Sequence, residues 1–248
     1  MDKKLKGQLR YFFETEFADI ILEKLKSGHK LSKFNVNPFI VTALSSGVLG
    51  NLSSINMAKA LLYPRVFGTS ISTTFGEKMQ KMCIMFLGAN ASGTPGMDIE
   101  FKDKKELSVD TNYIIQLKAG PNTINSGDVK PIVSEMNAAY RLLLRNHVAT
   151  MPTFSLGIVY GTIEEVSGHY KKIAASSVGG QMKIPILIGK DFWWRLTGEE
   201  NFYDQMVAIF IELFKKKDFS KLLEDDIIAL AKQIKKEYFK RGKISFIK

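Results

Sequence analysis

The chain has 248 residues, of which 45% are hydrophobic and 24% charged, and its composition excludes a disordered or collagen-like protein. Its single cysteine, Cys83, excludes an intramolecular disulfide and a CxxC metal site. The 35 Lys and Arg outnumber the 25 Asp and Glu, for a net charge of +10, which favours a polyanionic partner: nucleic acid first, an anionic membrane surface second.

The sequence disfavours both membrane insertion and secretion. No window approaches the roughly 20 uninterrupted apolar residues of a membrane span, and the N-terminus has no signal-peptide pattern. A lone cysteine also fits a reducing compartment. We therefore expect a cytoplasmic protein.

Helical periodicity dominates the first third of the chain. Apolar residues recur at three- and four-residue steps up to a capping position at Gly28. Asn37 is suited to cap a second helix with Pro38 at its first turn, and Pro64 is suited to end a third. These signals predict helices over residues 1–27, 39–48, 53–63 and 69–87.

The period then changes from helical spacing to two. Met97, Ile99 and Phe101 alternate with polar residues, and a similar alternation runs from Tyr113 to Lys118. This pattern predicts two strands joined by a polar loop over residues 103–111. Buried strands are predicted over residues 154–160 and 184–188, and helices over residues 128–146, 191–194 onward, 199–217 and 220–241.

These elements predict one α/β domain over residues 1–248, with a mixed central β-sheet flanked by helices. Residues 1–90 form its mainly helical N-terminal part, residues 91–190 the sheet core, and residues 191–248 its C-terminal helices. No repeat of fixed period and no low-complexity linker divides the chain.

Three polar residues on the two neighbouring strands could carry chemistry. Asp98 lies 20 residues before Lys118, and Gln116 shares a strand face with Lys118. A carboxylate, a second oxygen and an ammonium group suit metal-assisted hydrolysis of a phosphodiester. The same spacing also fits a merely solvated polar strand face, and the spacing alone does not separate the two interpretations.

Several short blocks follow one another along the chain: Asn37-Pro38-Phe39, residues 64–68 (PRVFG), residues 117–120 (LKAG), Val159-Tyr160-Gly161 and residues 189–193 (GKDFW). In content and order they resemble PD-(D/E)xK type II restriction endonucleases, in particular members that cut interrupted GGNCC-type sites. The resemblance implies a restriction-endonuclease-like core and a homodimeric, Mg²⁺-dependent enzyme that cuts double-stranded DNA at a short, pseudopalindromic site.

The resemblance also implies roles for individual residues. Asp98 resembles the family's metal-binding Asp and Lys118 its catalytic Lys, while the Leu117 carbonyl would complete the metal site. Gln116 stands where the family has its second acid, and an amide binds a hard cation less strongly than a carboxylate. The proline of the motif is displaced as well, because Pro95 precedes Asp98 by three residues.

Two acids could supply the charge that Gln116 lacks. Glu100 shares the predicted strand face of Asp98, although a solvated strand residue is the alternative. Glu77 lies on the fourth helix, where this family often keeps an acid near its metal. Thr74 and Glu77 also satisfy the capping-box pattern, which would make Glu77 a structural residue.

Candidate DNA contacts follow the strand that carries Lys118. The loop over residues 120–128 is rich in small polar donors that can reach phosphates, although it could also be a plain strand-to-helix connection. For base or backbone contacts the candidates are Asn122, Asn125, Lys130, Gln181 and Lys183.

The leading hypothesis is a type II restriction endonuclease whose host encodes a protecting DNA methyltransferase nearby. One alternative keeps the fold but makes the protein a structure-selective nuclease of repair or recombination. The other is a basic, non-catalytic DNA-binding module. His29, His147 and His169 have no paired metal-binding spacing, so a histidine-based metal site is not expected.

Overall fold

The computed structural model describes residues 1–19, 22–23, 30–66, 71–107, 110–216, 219–240 and 243–246. The chain divides into two compact units. The first comprises Met1–Phe12 and Phe75–Ile211, and the second comprises Phe13–Thr74 and Glu212–Lys248. The single domain over residues 1–248 stays a prediction.

A five-stranded mixed sheet forms the centre of the first unit. Its strands are β1 (Asn90–Ala91), β2 (Ile99–Lys102), β3 (Asn112–Lys118), β4 (Thr153–Ile158) and β7 (Ile186–Ile188). Their spatial order is β1-β2-β3-β4-β7; β1, β2 and β3 are antiparallel, whereas β3, β4 and β7 are parallel. The mixed α/β sheet predicted from the sequence is therefore confirmed.

The two faces of β3 pack against different helices because alternate side chains point to opposite sides. Ile114 joins a core formed with β4 and with the long helix α5 (Ser126–Arg145). On the other face, a Cβ added at Gly157 would lie 2.6 Å from Cγ2 of Ile115 and 3.0 Å from a ring carbon of Phe192. Only glycine fits there, between β3 and the helix that carries Phe192.

The remaining elements of the first unit are a hairpin and several helices, some of which extend into the second unit. A two-stranded hairpin, β5 (Ser177–Val178) and β6 (Met182–Lys183), is hydrogen-bonded to α5 through Asn137. Trp193 is fully buried and donates its indole N–H to the Val159 carbonyl at 2.8 Å. The helices are α1 (Lys3–Phe13), α4 (Ile71–Phe86), α6 (Gly168–Ala174), α7 (Gly189–Thr197) and α8 (Phe202–Lys216).

The second unit has its own apolar core. Helix α2 (Pro38–Thr42) is capped by Asn37, whose side chain accepts hydrogen bonds from the N–H groups of Phe39 and Ile40. Ser53 caps α3 in the same way. The main elements are α2, α3 (Ser54–Tyr63), α9 (Phe219–Tyr238), and the short ribbon of β8 (Phe239–Lys240) and β9 (Lys243–Ile244).

Most predicted elements are present, with shifted ends. Helix α5 begins two residues earlier than predicted, because Asn125 caps it. The prediction that the last helix reaches Arg241 was wrong: it ends at Tyr238 and the β8–β9 ribbon follows. The predicted helix cap at Gly28 lies outside the described residues.

Candidate active site

Asp98 lies immediately before β2 and is bound to β3 through both its backbone and its side chain. Its N–H donates to the carbonyl of Ile115 at 2.8 Å. Its carboxylate Oδ2 accepts the N–H of Leu117 at 2.6 Å. The carboxylate thus takes the place of a strand carbonyl at the end of the ladder, which fixes its position at the C-terminal end of β3.

The charges around Asp98 act on its pKa in opposite directions. Burial raises the pKa above its ordinary value, and the negative charge of Glu135 raises it further, whereas the Leu117 N–H and the positive charge of Lys118 lower it. The net effect is a raised pKa. An additional positive charge next to the carboxylate would therefore stabilise its ionised form.

Gln116, one residue before Leu117, connects the sheet to α5. Its Nε2 donates to Oε2 of Glu135 at 2.9 Å and to the carbonyl of Gly96 at 3.2 Å. Both amide hydrogens have acceptors, and turning the amide over would set its oxygen against the Glu135 carboxylate. The assigned orientation is therefore the favourable one.

The carbonyl oxygen of Gln116 has no such partner. Gln116 is only 8% exposed, and its Oε1 is buried without a hydrogen bond from any described residue. An unsatisfied buried acceptor costs about 1–3 kcal/mol. A cation or an ordered water next to Oε1 would remove that cost, so this atom marks a binding position.

Glu135 is the acid that the sequence analysis missed. It lies on α5, partly buried, against Gly96: a Cβ added at Gly96 would lie 2.9 Å from Cβ of Glu135. The available signal was its place beside the apolar stripe of Ile132, Met136 and Ala139, which faces the sheet. A carboxylate at the edge of such a stripe can reach a strand residue.

Lys118 and Leu117 complete the group at the end of β3. Lys118 is half-buried and close enough to Asp98 for its charge to lower the pKa of that carboxyl. The N–H of Leu117 points to Asp98, and in a strand the carbonyl of a residue points to the same side as its N–H. The Leu117 carbonyl is therefore directed to the side of the strand where Asp98 lies.

The two acids predicted to supplement Gln116 lie elsewhere. Glu100 is opposite Ile114, further along the sheet, and accepts a 2.6 Å hydrogen bond from Oγ of Ser92. Glu77 is exposed on α4. The capping-box alternative for Glu77 was wrong, because the helix already includes Ile71 and Thr74 is internal to it.

Helix α4 nevertheless borders the site. Gln80 donates its Nε2 to the backbone carbonyl of Asp98 at 3.4 Å. A Cβ added at Gly76 would lie 3.8 Å from Cβ of Ala119. Glu77 is thus carried by a helix that packs beside the end of β3, although its own side chain is in solvent.

The predicted DNA contacts fall into two groups. In the loop after β3, Asn122 is exposed, whereas Asn125 is the N-cap of α5 and accepts the Gly127 N–H at 2.7 Å. Lys130 is exposed on α5, and Gln181 and Lys183 are exposed on the β5–β6 hairpin. The hairpin is hydrogen-bonded to α5 through Asn137.

Two observations concern all the residues that the structure describes. Among the residues that the structure describes, no three His, Cys, Asp or Glu side chains cluster in a way that could hold a metal ion. Within the same residues, no helix combines the length and apolar character needed to cross a membrane.

A mixed sheet flanked by helices, with Asp98 and Lys118 where the start of β2 meets the C-terminal end of β3, has the architecture of a restriction-endonuclease-like fold. The family model described as type II restriction endonuclease EcoO109I matches residues 2–218, and the chain belongs to that family. Comparison with curated proteins gave no match.

The family defines the enzyme class. The protein is a site-specific deoxyribonuclease of the type II restriction endonucleases, and DNA is its substrate. Membership in this family argues against both alternatives that the sequence left open, the non-catalytic DNA-binding module and the structure-selective nuclease.

Proposed function

We propose that this enzyme uses Mg²⁺ to hydrolyse both strands of double-stranded DNA at a short, pseudopalindromic site of the GGNCC type. The observation that carries the proposal is the buried, partnerless Oε1 of Gln116 beside Glu135, at the strand end where Asp98 is held. Oxygen atoms are the ligands that Mg²⁺ prefers, and it commonly uses one or two carboxylates and keeps several waters.

The proposed donor set is the carboxylates of Asp98 and Glu135, Oε1 of Gln116 and the carbonyl of Leu117. A divalent ion held there would neutralise the charge that develops on the phosphate during hydrolysis. The raised pKa of Asp98 supports this assignment, because excess negative charge at the site favours a cation.

Glu135 is preferred over Glu100 and Glu77 as the acid that compensates for Gln116. Glu135 bonds directly to Gln116, while Glu100 is engaged by Ser92 and Glu77 extends into solvent. Glu77 keeps a proposed role at the rim of the site, because α4 also contacts the backbone of Asp98 through Gln80.

Lys118 is proposed as the residue that orients the attacking water and stabilises negative charge on the phosphate. Its ammonium is close to Asp98, but no described carboxylate lies within salt-bridge distance of it. A cation that is not neutralised by an ion pair can donate hydrogen bonds to a phosphate oxygen or to a water.

The remaining proposals concern partners and setting. Two cuts in opposite strands of a pseudopalindrome require two sites, so a homodimer is proposed. Asn122, Asn125, Lys130, Gln181 and Lys183 are proposed DNA contacts, with Asn125 acting through its amide N–H groups, since its Oδ1 caps α5. A cytoplasmic location is proposed, together with a DNA methyltransferase encoded nearby that would protect the host genome.

The test is cleavage of plasmid DNA by the purified protein. With Mg²⁺ we expect discrete fragments, and sequencing of their ends gives the recognition site; with EDTA the DNA stays intact. Asp98→Ala and Lys118→Ala each abolish cutting but keep DNA binding, whereas Glu200→Ala, at an exposed acid, cuts as wild type. Smears, intact DNA or full turnover by Asp98→Ala would refute the proposal.

A further inference from the structure

Helix α5 carries cations on the side that faces away from the sheet. Lys130, Ser134, Arg141 and Arg145 recur at steps of four, seven and four residues, which places them on one face of the helix, and all four are exposed. We name these four residues the α5 stripe. At 1.5 Å per residue it extends about 22 Å, roughly six base-pair rises of B-DNA.

The positive charge of the α5 stripe is not neutralised by neighbouring acids. Within the described residues, no carboxylate forms a salt bridge with Lys130, Arg141 or Arg145. The two acids of α5 are engaged elsewhere: Glu135 bonds to Gln116, and Asp128 accepts the Asn125 N–H at 2.7 Å. The charged side chains on this side of the helix are therefore all positive.

The shape of the surface beside the stripe also fits an extended anion. Ser134, Arg141 and Arg145 line an open groove together with Pro95 from the segment that leads into β2. Ala138 lies between them on the groove wall, and its small side chain permits close approach. Pro95 is three residues before Asp98, so the groove borders the chain segment that enters the active site.

We propose that the α5 stripe binds the phosphate backbone of duplex DNA and aligns it with Asp98; this inference rests on the proposed function. Arginine and lysine without carboxylate partners bind phosphates at no cost in broken ion pairs, and such contacts position a protein on DNA without reading sequence. The groove between Pro95 and the two arginines would receive phosphates of the bound duplex.

The assignment also gives α5 two functions on opposite sides. Glu135 reaches Gln116 on the side facing the sheet, and the stripe binds DNA on the solvent side. One rigid 20-residue helix then fixes the distance between the phosphate contacts and the acid of the cleavage site. Alignment of the scissile bond would depend on this helix rather than on a loop.

The test measures binding of the full-length protein to a mixed-sequence duplex of about 30 base pairs by fluorescence anisotropy, in EDTA and over a salt series. The double variant Arg141→Ala/Arg145→Ala should bind about tenfold more weakly at moderate salt. Its log–log salt slope should be shallower by about 1.8, since each lost phosphate contact removes about 0.9.

Two further variants make the result specific. Lys235→Ala/Lys236→Ala removes the same charge from exposed positions of α9 and should keep the wild-type slope. Arg141→Lys/Arg145→Lys keeps the charge and should retain most of the slope. Equal losses in the α9 variant, or a lysine pair as weak as the alanine pair, would overturn the assignment.

The outcomes separate this inference from the proposed function. If the alanine pair keeps the wild-type affinity and salt slope, and the wild-type protein cleaves DNA normally, only the DNA-binding role of the α5 stripe is overturned. A wild-type protein that binds through the stripe but never cleaves refutes the proposed function alone. A change of oligomeric mass in the alanine pair, measured by analytical ultracentrifugation, would make the stripe a contact between copies and would overturn its role in DNA binding.

Discussion

Gln116 donates its side-chain amide to Oε2 of Glu135 at 2.9 Å and thereby joins strand β3 to helix α5. Gln116 stands where the resemblance implies an acid, and the proposed site takes its second carboxylate from the neighbouring helix. After burial, the charge of Glu135 also raises the pKa of Asp98.

Exchanging the amide of residue 116 and the carboxylate of residue 135 should therefore restore cleavage activity that a single substitution removes. We expect Glu135→Gln to lower Mg²⁺-dependent cleavage by about 100-fold or more, because a carboxylate of the proposed metal site is lost. The double variant Gln116→Glu/Glu135→Gln should recover a large part of the rate, since the carboxylate–amide hydrogen bond is kept with its ends reversed. Single-turnover cleavage rates measure both effects.

The control for this exchange is Glu200→Gln, at an exposed position, which should cut at the wild-type rate. Gln116→Glu alone should be impaired near neutral pH, because two carboxylates in contact raise each other's pKa. A double variant as inactive as Glu135→Gln would argue against a shared role for the two positions.

Asp98 is expected to lower the stability of the fold at neutral pH. Burial raises its pKa above the value in the unfolded chain, so its contribution to stability is full below the unfolded pKa and is lost as pH rises through the folded one. Asp98→Asn keeps an oxygen for the Leu117 N–H and removes the charge. Its Tm at pH 7 in EDTA should exceed that of the wild type, by about 2–4 °C for each kcal/mol gained.

Two further measurements test the predicted effect of Asp98→Asn on the Tm. The difference in Tm should shrink as pH falls through the raised pKa of Asp98, because the wild-type carboxyl then also becomes neutral. Adding Mg²⁺ should raise the Tm of the wild type more than that of Asp98→Asn, because the folded wild type binds the ion more tightly. A variant less stable than wild type at every pH would contradict the expected sign.

A buried ion pair anchors the loop between β2 and β3 to α7. Asp103 is 2% exposed and pairs with Nη1 of Arg195 at 2.5 Å, while Nε of Arg195 bonds Asp191 at 3.1 Å. Asp103→Ala should cost about 1–3 kcal/mol in the free energy of unfolding, because it removes the buried carboxylate that binds Arg195 and accepts the N–H groups of Lys105 and Glu106. Urea denaturation measures the loss.

The exposed pair Asp110–Lys102, at 2.9 Å, is the matched control for that measurement. Asp110→Ala should cost less than about 1 kcal/mol, since both side chains are in solvent and the attraction is screened. Similar losses for the two alanine variants would show that burial of Asp103 has no energetic consequence.

Tyr170 holds the loop that follows β3. Its hydroxyl donates to the Gly120 carbonyl at 3.1 Å and lies 2.9 Å from Oγ1 of Thr123, and burial raises its pKa to about 12. Tyr170→Phe should cost about 1 kcal/mol of stability, the value of one hydrogen bond. Cleavage should slow by a few-fold because the loop that carries Asn122 is less fixed.

Tyr140→Phe is the control for Tyr170→Phe, because the Tyr140 hydroxyl makes no hydrogen bond with a described residue and the ring packs in the same core. It should leave both stability and cleavage near wild type. Equal effects in the two variants, or a Tyr170→Phe protein with unchanged stability, would contradict the expected role of the hydroxyl.

The sequence alone predicted the strands of the site but not its second acid. Period-two alternation identified β2 and β3, and pairing of these neighbouring strands predicted that Asp98 and Lys118 lie at one end of the sheet. Which helix residue meets Gln116 depends on how α5 packs on the sheet, and no local pattern encodes that contact. Strands of two residues, such as β5 and β6, also leave too short a period to detect.

Gly96 has a φ of +81° and leaves no room for a side chain against Glu135. In an alignment of relatives, a glycine at this position and an acid on the helix should be gained and lost together. Sequences with an acid on the strand would be released from that constraint. Joint variation at these three positions would therefore trace how the acid moved during the evolution of the family.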